Sequence, residues 1–475
     1  MKRLAVVLVA VLASLSAAPA AHPQAAGVQH LHFQFGPVHI RPGQNTIEFA
    51  INDNRPHVNG WIVGFRPDLK YARGGGTPRV DVIHLHHGVW ISNGAPEFAA
   101  GEEKTHVTAP SGYGWRYRTS DSWVMNYMIH NLTPTPTDVY ITYDLDFIPD
   151  GSPAAAGIQE VHTLWLDVVG GVYPVFNVLR GEGGRDGRLT YPDDVRRAPR
   201  NRVVVDRDGV LVATAGHLHP GGLWTTLKLT RGGRTVTLFR SRAHYFEPAG
   251  AVSWDVAMGA TPAAWRVGVK RGDVLSISAT YDTRRASWYE VMGIMPVAFA
   301  PGGAGPDPFT TDVNMPGVLT HGHLRENRNH GGGPIGLPNP RRILNAPVGA
   351  RTVRIRDFTY GWGDLNSVGR RARVPVVRPG GTLRFLNRDN GRGILHTITA
   401  CRAPCNRATG IAYPIANGPV IFDSGDLGTG PPGRTAAAQR LTWRVPRNLP
   451  RGTYTYFCRI HPFMRGAFRV IRGRA

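Results

Sequence analysis

The chain has 475 residues, 42% hydrophobic and 19% charged, with three cysteines and a formal net charge of +22. That length suits roughly three domains. Nothing beyond the N-terminal apolar run is long and apolar enough to anchor in a bilayer, which excludes a membrane span. There is also no Walker loop, G-x-S-x-G elbow or internal repeat.

The N-terminus opens with Lys2 and Arg3, then an apolar run from Leu4 to Leu15, then Ala18-Pro19-Ala20. This is the order of a secretory signal peptide (1–20), with cleavage expected after Ala20 and a secreted or periplasmic product. From 27 to 155 the sequence is short alternating runs broken by Gly, Pro and Asn, such as Asn45-Thr46-Ile47-Glu48-Phe49-Ala50-Ile51. They predict antiparallel strands. The same texture fills 156–301, so two β-sandwiches are expected there. Residues 302–350 change character. Gly331-Gly332-Gly333-Pro334 and Pro338-Asn339-Pro340 predict a linker, in which Thr320-His321-Gly322-His323 and His330 read as polar surface. Strands return over 351–473, giving an all-β chain.

The charge is concentrated at the C-terminal end. From Arg341 to Arg474 there are 24 Arg, no Lys and 5 Asp, a net +19. A basic domain can bind nucleic acid. Export and the scatter of arginines through strand-like sequence argue against that. They point to a solvated face that steers an acidic redox partner, a substrate or a cell surface, or that only keeps the protein soluble. Cys401 and Cys405 are close enough to pair, and export permits a disulfide. The third cysteine, Cys458, is either a buried free thiol or a ligand.

Cys458 stands in Tyr456-Phe457-Cys458-Arg459-Ile460-His461-Pro462-Phe463-Met464. A thiolate, an imidazole and a thioether within seven residues, joined by a distant His, make the soft site that suits blue copper. Upstream, Asn387 ends a predicted strand and His396 opens the next. The stretch resembles the ligand loop of amicyanin and related plastocyanin-like cupredoxins. The resemblance implies a single β-sandwich over about 351–473, with one type 1 copper on His396, Cys458, His461 and Met464. It departs from that family in a long insertion between His396 and Cys458.

Three more His-bearing stretches precede the linker: His84-Leu85-His86-His87, Met128-Ile129-His130 and His217-Leu218-His219. On a strand, positions i and i+2 share a face, so His217 and His219 can hold one metal, as can His84 and His86. Adjacent His86 and His87 could serve one ion only at a bend or bulge. His57, His106, His162 and His244 read as ordinary sheet residues.

The order His-His, lone His, His-x-His, then Met292 resembles the two-copper monooxygenases, peptidylglycine α-hydroxylating and dopamine β-monooxygenase. That family implies two jelly rolls carrying copper across an open cleft. By resemblance, His86, His87 and His130 hold an electron-transfer copper. His217, His219 and Met292 (Met295 as fallback) hold the catalytic copper that meets dioxygen. Imidazoles support both copper states and a thioether favours Cu(I), while a reactive ligand needs an open coordination position. No Cys occurs before Cys401. Ala215 stands where the peptide enzyme has its carboxylate-gripping arginine, and Met128 replaces a glutamine. A glycine-extended peptide is therefore not the expected substrate.

The expected activity is C–H hydroxylation with dioxygen, with electrons relayed by the type 1 copper from an external reductant. One type 1 and two type 2 coppers are expected. The alternative is a non-enzymatic copper-binding or electron-transfer protein. A laccase-like oxidase would need a His-Cys-His run, and Phe457 and Arg459 flank Cys458 instead. A histidine-brace oxygenase would need cleavage that exposes His22.

Overall fold

The computed structural model describes residues 27–44, 47–80, 82–170, 174–196, 198, 202–246, 255–284, 287–327, 338–401, 420–429, 440–461 and 463–472. The signal peptide, His330 and Cys405, with its expected disulfide, lie outside them. Among the described residues the chain is all-β, with strands joined by turns and three short 3₁₀ segments. No helix there is long and apolar enough to cross a membrane.

The strands alternate as their sequence demands. Thr137–Pro149 sends Val139, Ile141, Tyr143, Leu145 and Phe147 inward, and all five are fully buried. It pairs with Gln29–Ile40 on one side and Gly60–Tyr71 on the other. A second sheet, Ile47–Ile51, Trp123–Asn131, Ile83–Ser92 and Ala95–Gly101, completes the N-terminal sandwich. The middle sandwich has a seven-stranded sheet that includes Gly222–Arg231, Arg234–Tyr245 and Val274–Asp282. The C-terminal sandwich packs four strands against five around Phe385, Tyr456 and Phe468.

Two features join these units. Tyr113–Tyr117 pairs in parallel with Gln159–Asp167, which pairs in turn with Gly293–Pro301, so one ten-stranded sheet runs through the first two sandwiches. Phe457, at the end of Gly452–Phe457, is buried in the hydrophobic core of the middle sandwich rather than its own.

The front of the segment expected to be a linker is seated on the first two sandwiches. Val318–Leu319 pairs with Val256–Ala260. Lys104 Nζ donates to Glu326 (2.6 Å), and His323 Nδ1 lies 2.5 Å from the buried Asp255. His321 Nε2 also contacts the Glu103 carbonyl.

Candidate metal centres

The C-terminal centre is built by a hairpin and a brace. Cys458 follows Gly452–Phe457, and the chain returns through His461 to Arg465–Val470. The turn is closed by Cys458 N–H donating to Met464 O (3.2 Å) and Met464 N–H to His461 O (2.9 Å). Asn387 Nδ2 donates to Ile394 O (2.9 Å) and Leu427 O (2.7 Å), which fixes the loop that delivers His396. His396 bridges Leu427 just before the strand Thr399–Cys401, rather than opening that strand as expected.

One ligand atom each from His396, Cys458 and His461 falls within 4.8 Å of the others, and all three residues are buried. It is the only such set of three or more His, Cys, Asp or Glu among the described residues. Cys458 Sγ lies 3.9 Å from His396 Nδ1 and 3.7 Å from His461 Nδ1. Met464 is fully buried in the same cluster. Thr397 N–H (3.3 Å) and His461 N–H (3.4 Å) donate to the sulfur. Burial alone would raise the Cys458 thiol. The two imidazoles outweigh it and hold the group well below its ordinary value, as a thiolate. His396 Nε2 donates to Asp389 Oδ2 (2.9 Å), which orients the ring and leaves Nδ1 toward the sulfur. The donor set and spacing fit a type 1 copper.

The other histidines come together differently from the two sets expected. Ile83–Ser92 slips by one residue against Trp123–Asn131 between Leu85 and His87, so a bulge falls at His86. Adjacent His86 and His87 can therefore turn toward each other, with their Nδ1 atoms 3.4 Å apart. Two nitrogens about 2.0 Å from one tetrahedral ion lie roughly 3.3 Å apart. His130 lies across the strands with its ring tilted against His84 (centroids 4.8 Å) and His86 (4.5 Å).

His219 reaches the same place from the middle sandwich, its ring stacked on His86 at 4.0 Å, and His217 lies 4.7 Å from His219. The histidines of the two sets thus form one buried cluster, with Met292 tied to it through Tyr281, and not two sites facing across an open cleft. The reason is the continuous sheet, which clamps the sandwiches side by side and brings the histidines together at the edge of a cavity lined by both.

Two carboxylates that sequence reasoning missed support this cluster. Glu102 and Glu103 follow the strand Ala95–Gly101 and are almost wholly buried. His219 Nδ1–H donates to Glu102 Oε1 (2.6 Å), and His217 Nδ1 lies 2.9 Å from Glu103 Oε1. The Nε2 atoms of both histidines are buried without a hydrogen-bond partner. For His219, a carboxylate on one ring nitrogen and an orphaned second nitrogen are the features of a metal ligand; His217 Nδ1 lies near Glu103 without hydrogen-bond geometry. Gly101 makes the room, because a Cβ there would lie 2.5 Å from His217 Cε1 and 2.6 Å from Glu103 Oε2.

Burial pushes His84 and His87 down to about 4, and burial reinforced by neighbouring imidazoles holds His86 and His219 well below the ordinary imidazole value. All four are therefore neutral at physiological pH, the form a metal requires. Burial and the adjacent Glu103 raise the Glu102 carboxyl, which a bound cation would reverse.

Tyr281 ties the ligand candidates together. Its hydroxyl donates to Met292 O (2.6 Å) and accepts from His219 N–H (3.2 Å). Met292 is buried beside Val175 and Ile294 and borders a cavity of ≈ 330 Å³ shared with His87 and His217. Met295, the fallback ligand, sits in the middle core beside Leu166.

The residue after Cys458 is not part of a basic surface. Arg459 is buried, donates to Asp423 (3.2 Å) and covers the Trp288 ring at 4.6 Å. Ser287 N–H reaches the same Asp423 carboxylate (3.3 Å). The exposed arginines gather instead around a groove lined by Arg351, Arg378, Arg384, Arg444 and Arg447. It lies at the Gly452 end of the hairpin, about 20 Å of strand from Cys458. Arg392, half-exposed over the Phe358 ring that touches His396 and His461, keeps some positive charge at the ligand end as well.

No protein-family model matches this chain, and no curated protein matches it. Among solved structures, it is similar to the Cu-containing nitrite reductase (NirK) from Thermus scotoductus SA-01, at 15% identity and a TM-score of 0.17. That match covers 57% of this chain and 59% of the reductase, so the chain spans about three-fifths of the length of that protein.

Proposed function

We propose that this chain is an exported copper oxidoreductase. His396, Cys458, His461 and Met464 would hold a type 1 copper, which would supply electrons to a second copper centre held in the histidine cluster. There His86, His87 and His130 lie beside His217, His219 and Met292, and the reaction is hydroxylation of a C–H bond. Copper held there would supply dioxygen chemistry. One oxygen atom enters the C–H bond and the other leaves as water, at the expense of two electrons from an external reductant and two protons.

The observation that carries this proposal is the joint between the centres. Arg459, next to Cys458, covers one part of the Trp288 indole. The same indole packs on the backbone of Gly221, two residues after His219, where a Cβ would lie 2.3 Å from Trp288 Cδ2. Gly221 has φ +93°, a conformation open to glycine. A single buried side chain thus touches the residue beside the thiolate and the loop that carries a ligand of the second centre. The chain's own residues do the rest. Glu102 and Glu103 orient His219 and His217, Tyr281 fixes His219 to Met292, and the cavity admits substrate to His87, His217 and Met292.

Metal analysis with EPR of the copper-loaded protein tests the proposal. One type 1 signal together with type 2 copper, the latter lost in His219→Ala, is expected. A single copper per chain would point to the electron-transfer protein instead. Oxygen consumption driven by the reduced C-terminal sandwich should fall in His217→Ala, and unchanged consumption removes the catalytic assignment.

A further inference from the structure

The cavity beside the histidine cluster has a defined chemical character. Aromatic rings of Phe49, Phe98, Trp115 and Trp165 line it, with Val89, Ile91 and several alanines between them. His87, His217 and Met292 border it as well. At ≈ 330 Å³ it is at the small end of ligand pockets.

The described lining contains no Lys and no Arg. Its only acidic groups are Glu97 and Glu103. Glu103 is turned to His217, while Glu97 keeps a buried Oε2 with no hydrogen-bond partner. Burial raises the Glu97 carboxyl to about 7, so near neutrality about half of it is protonated and able to donate. The threonine hydroxyls are largely spent: Thr163 donates to Glu97 O (3.0 Å) and Thr214 to Pro296 O (2.8 Å).

We infer that this cavity is the substrate site and takes a neutral, largely hydrocarbon molecule with an aromatic or alicyclic ring and few polar groups. This rests on the proposal that His87, His217 and Met292 border the reactive centre. The rings offer apolar area and stacking, while Glu97, the Asn126 amide and the neutral His106 imidazole at the rim offer the few polar contacts. An anionic substrate meets two carboxylates and no cation, so its desolvation goes uncompensated. An ammonium meets only the half-ionised Glu97, since Glu103 lies against His217, and loses its full hydration on entering an aromatic cavity. The hydroxylation balances as before: R–H, O₂, two electrons from the external reductant and two protons give R–OH and water.

The test uses the metal-free full chain and three probes of one shape: naphthalene, 1-naphthylacetic acid and 1-(1-naphthyl)ethylamine. Trp115 and Trp165 report binding through fluorescence quenching. Naphthalene is expected to bind saturably, with the acid weaker by about a hundredfold or more, since each tenfold needs only about 1.4 kcal/mol. The protonated amine is expected to be weaker as well. Acid binding within threefold of naphthalene, or amine binding tighter than naphthalene, overturns the neutral class.

Ala99→Phe fills the cavity from a wall position and should abolish binding. If that variant misfolds by circular dichroism, the milder Ala99→Val should weaken naphthalene severalfold. Unchanged binding in a folded Ala99→Phe chain places the ligand elsewhere and overturns the proposal. Copper counting separates the two levels. Naphthalene binding without a second copper retires the oxygenase proposal, while two centres without naphthalene binding retire the substrate class.

Discussion

Replacing Asp389 with Asn tests the C-terminal centre through a residue that is not itself a ligand. The Asp389 carboxylate is buried and accepts from His396 Nε2 (2.9 Å), Asp357 N–H (2.8 Å), Phe358 N–H (3.2 Å) and Arg392 Nη2 (2.6 Å). Although burial raises it, the His396 hydrogen bond and its companions hold it well below the usual carboxylate range. An amide has nearly the same shape but only one accepting atom. If Asn keeps its oxygen on Asp357 and Arg392, its NH₂ faces the His396 and Phe358 donors. His396 then loses the partner that fixes its ring. Loss of such a partner typically weakens metal binding about 10–100-fold, or about 1.4–2.7 kcal/mol. The metal-free protein should also lose about 1.5–3 kcal/mol for each hydrogen bond to the charged acceptor that breaks. Competition with a chromogenic chelator measures copper affinity, and urea unfolding measures stability. The visible thiolate–copper band should keep its shape at saturating copper, since all four ligands remain. Copper affinity unchanged in a folded Asp389→Asn protein would refute the orienting role.

Four further outcomes are expected. Glu102→Gln should weaken copper at the histidine cluster about 10–100-fold while sparing the visible band; equal loss at both centres by EPR titration would contradict the assignment. Trp288→Phe keeps a ring at the joint but loses the hydrogen bond from Nε1 to Asp282 O (2.5 Å), so stability should fall about 1 kcal/mol. Reoxidation of the reduced type 1 centre by dioxygen, followed at its visible band, should slow severalfold in that variant. His84 and His87, held down to about 4 by burial, titrate near 6.5 when unfolded. The unfolded chain therefore binds more protons below pH 6.5, and each residue should cost up to about 3 kcal/mol as pH falls from 6.5 to 4. Urea unfolding of the metal-free protein at pH 7.5 and 4.5 checks this, and equal stabilities would count against it. Finally, Arg384 lies directly opposite Arg444 on paired strands. Arg444→Glu should stabilise by about 0.2–1 kcal/mol, read as a rise in the urea midpoint that salt diminishes.

The sequence alone determined the all-β class and pointed to three of the four candidate donors at the C-terminal end. Period-two alternation with Gly, Pro and Asn breaks is a local signal, and Cys458, His461 and Met464 sit on one turn, so chain geometry brings them together. It also carried the condition that His86 and His87 need a bulge to act together, because strand geometry is local too. What it could not carry was everything set by pairing between distant strands. Glu102 and Glu103 look like ordinary loop acids until the fold lays them on His219 and His217. Trp288 looks like a core tryptophan until Arg459 and Gly221 close on it from two sandwiches. The His86–His219 stack, which merges two expected sites into one cluster, depends on a parallel pairing of Tyr113–Tyr117 with Gln159–Asp167 that no local period announces. Local residues chose the ligands, and the tertiary structure decided which of them meet.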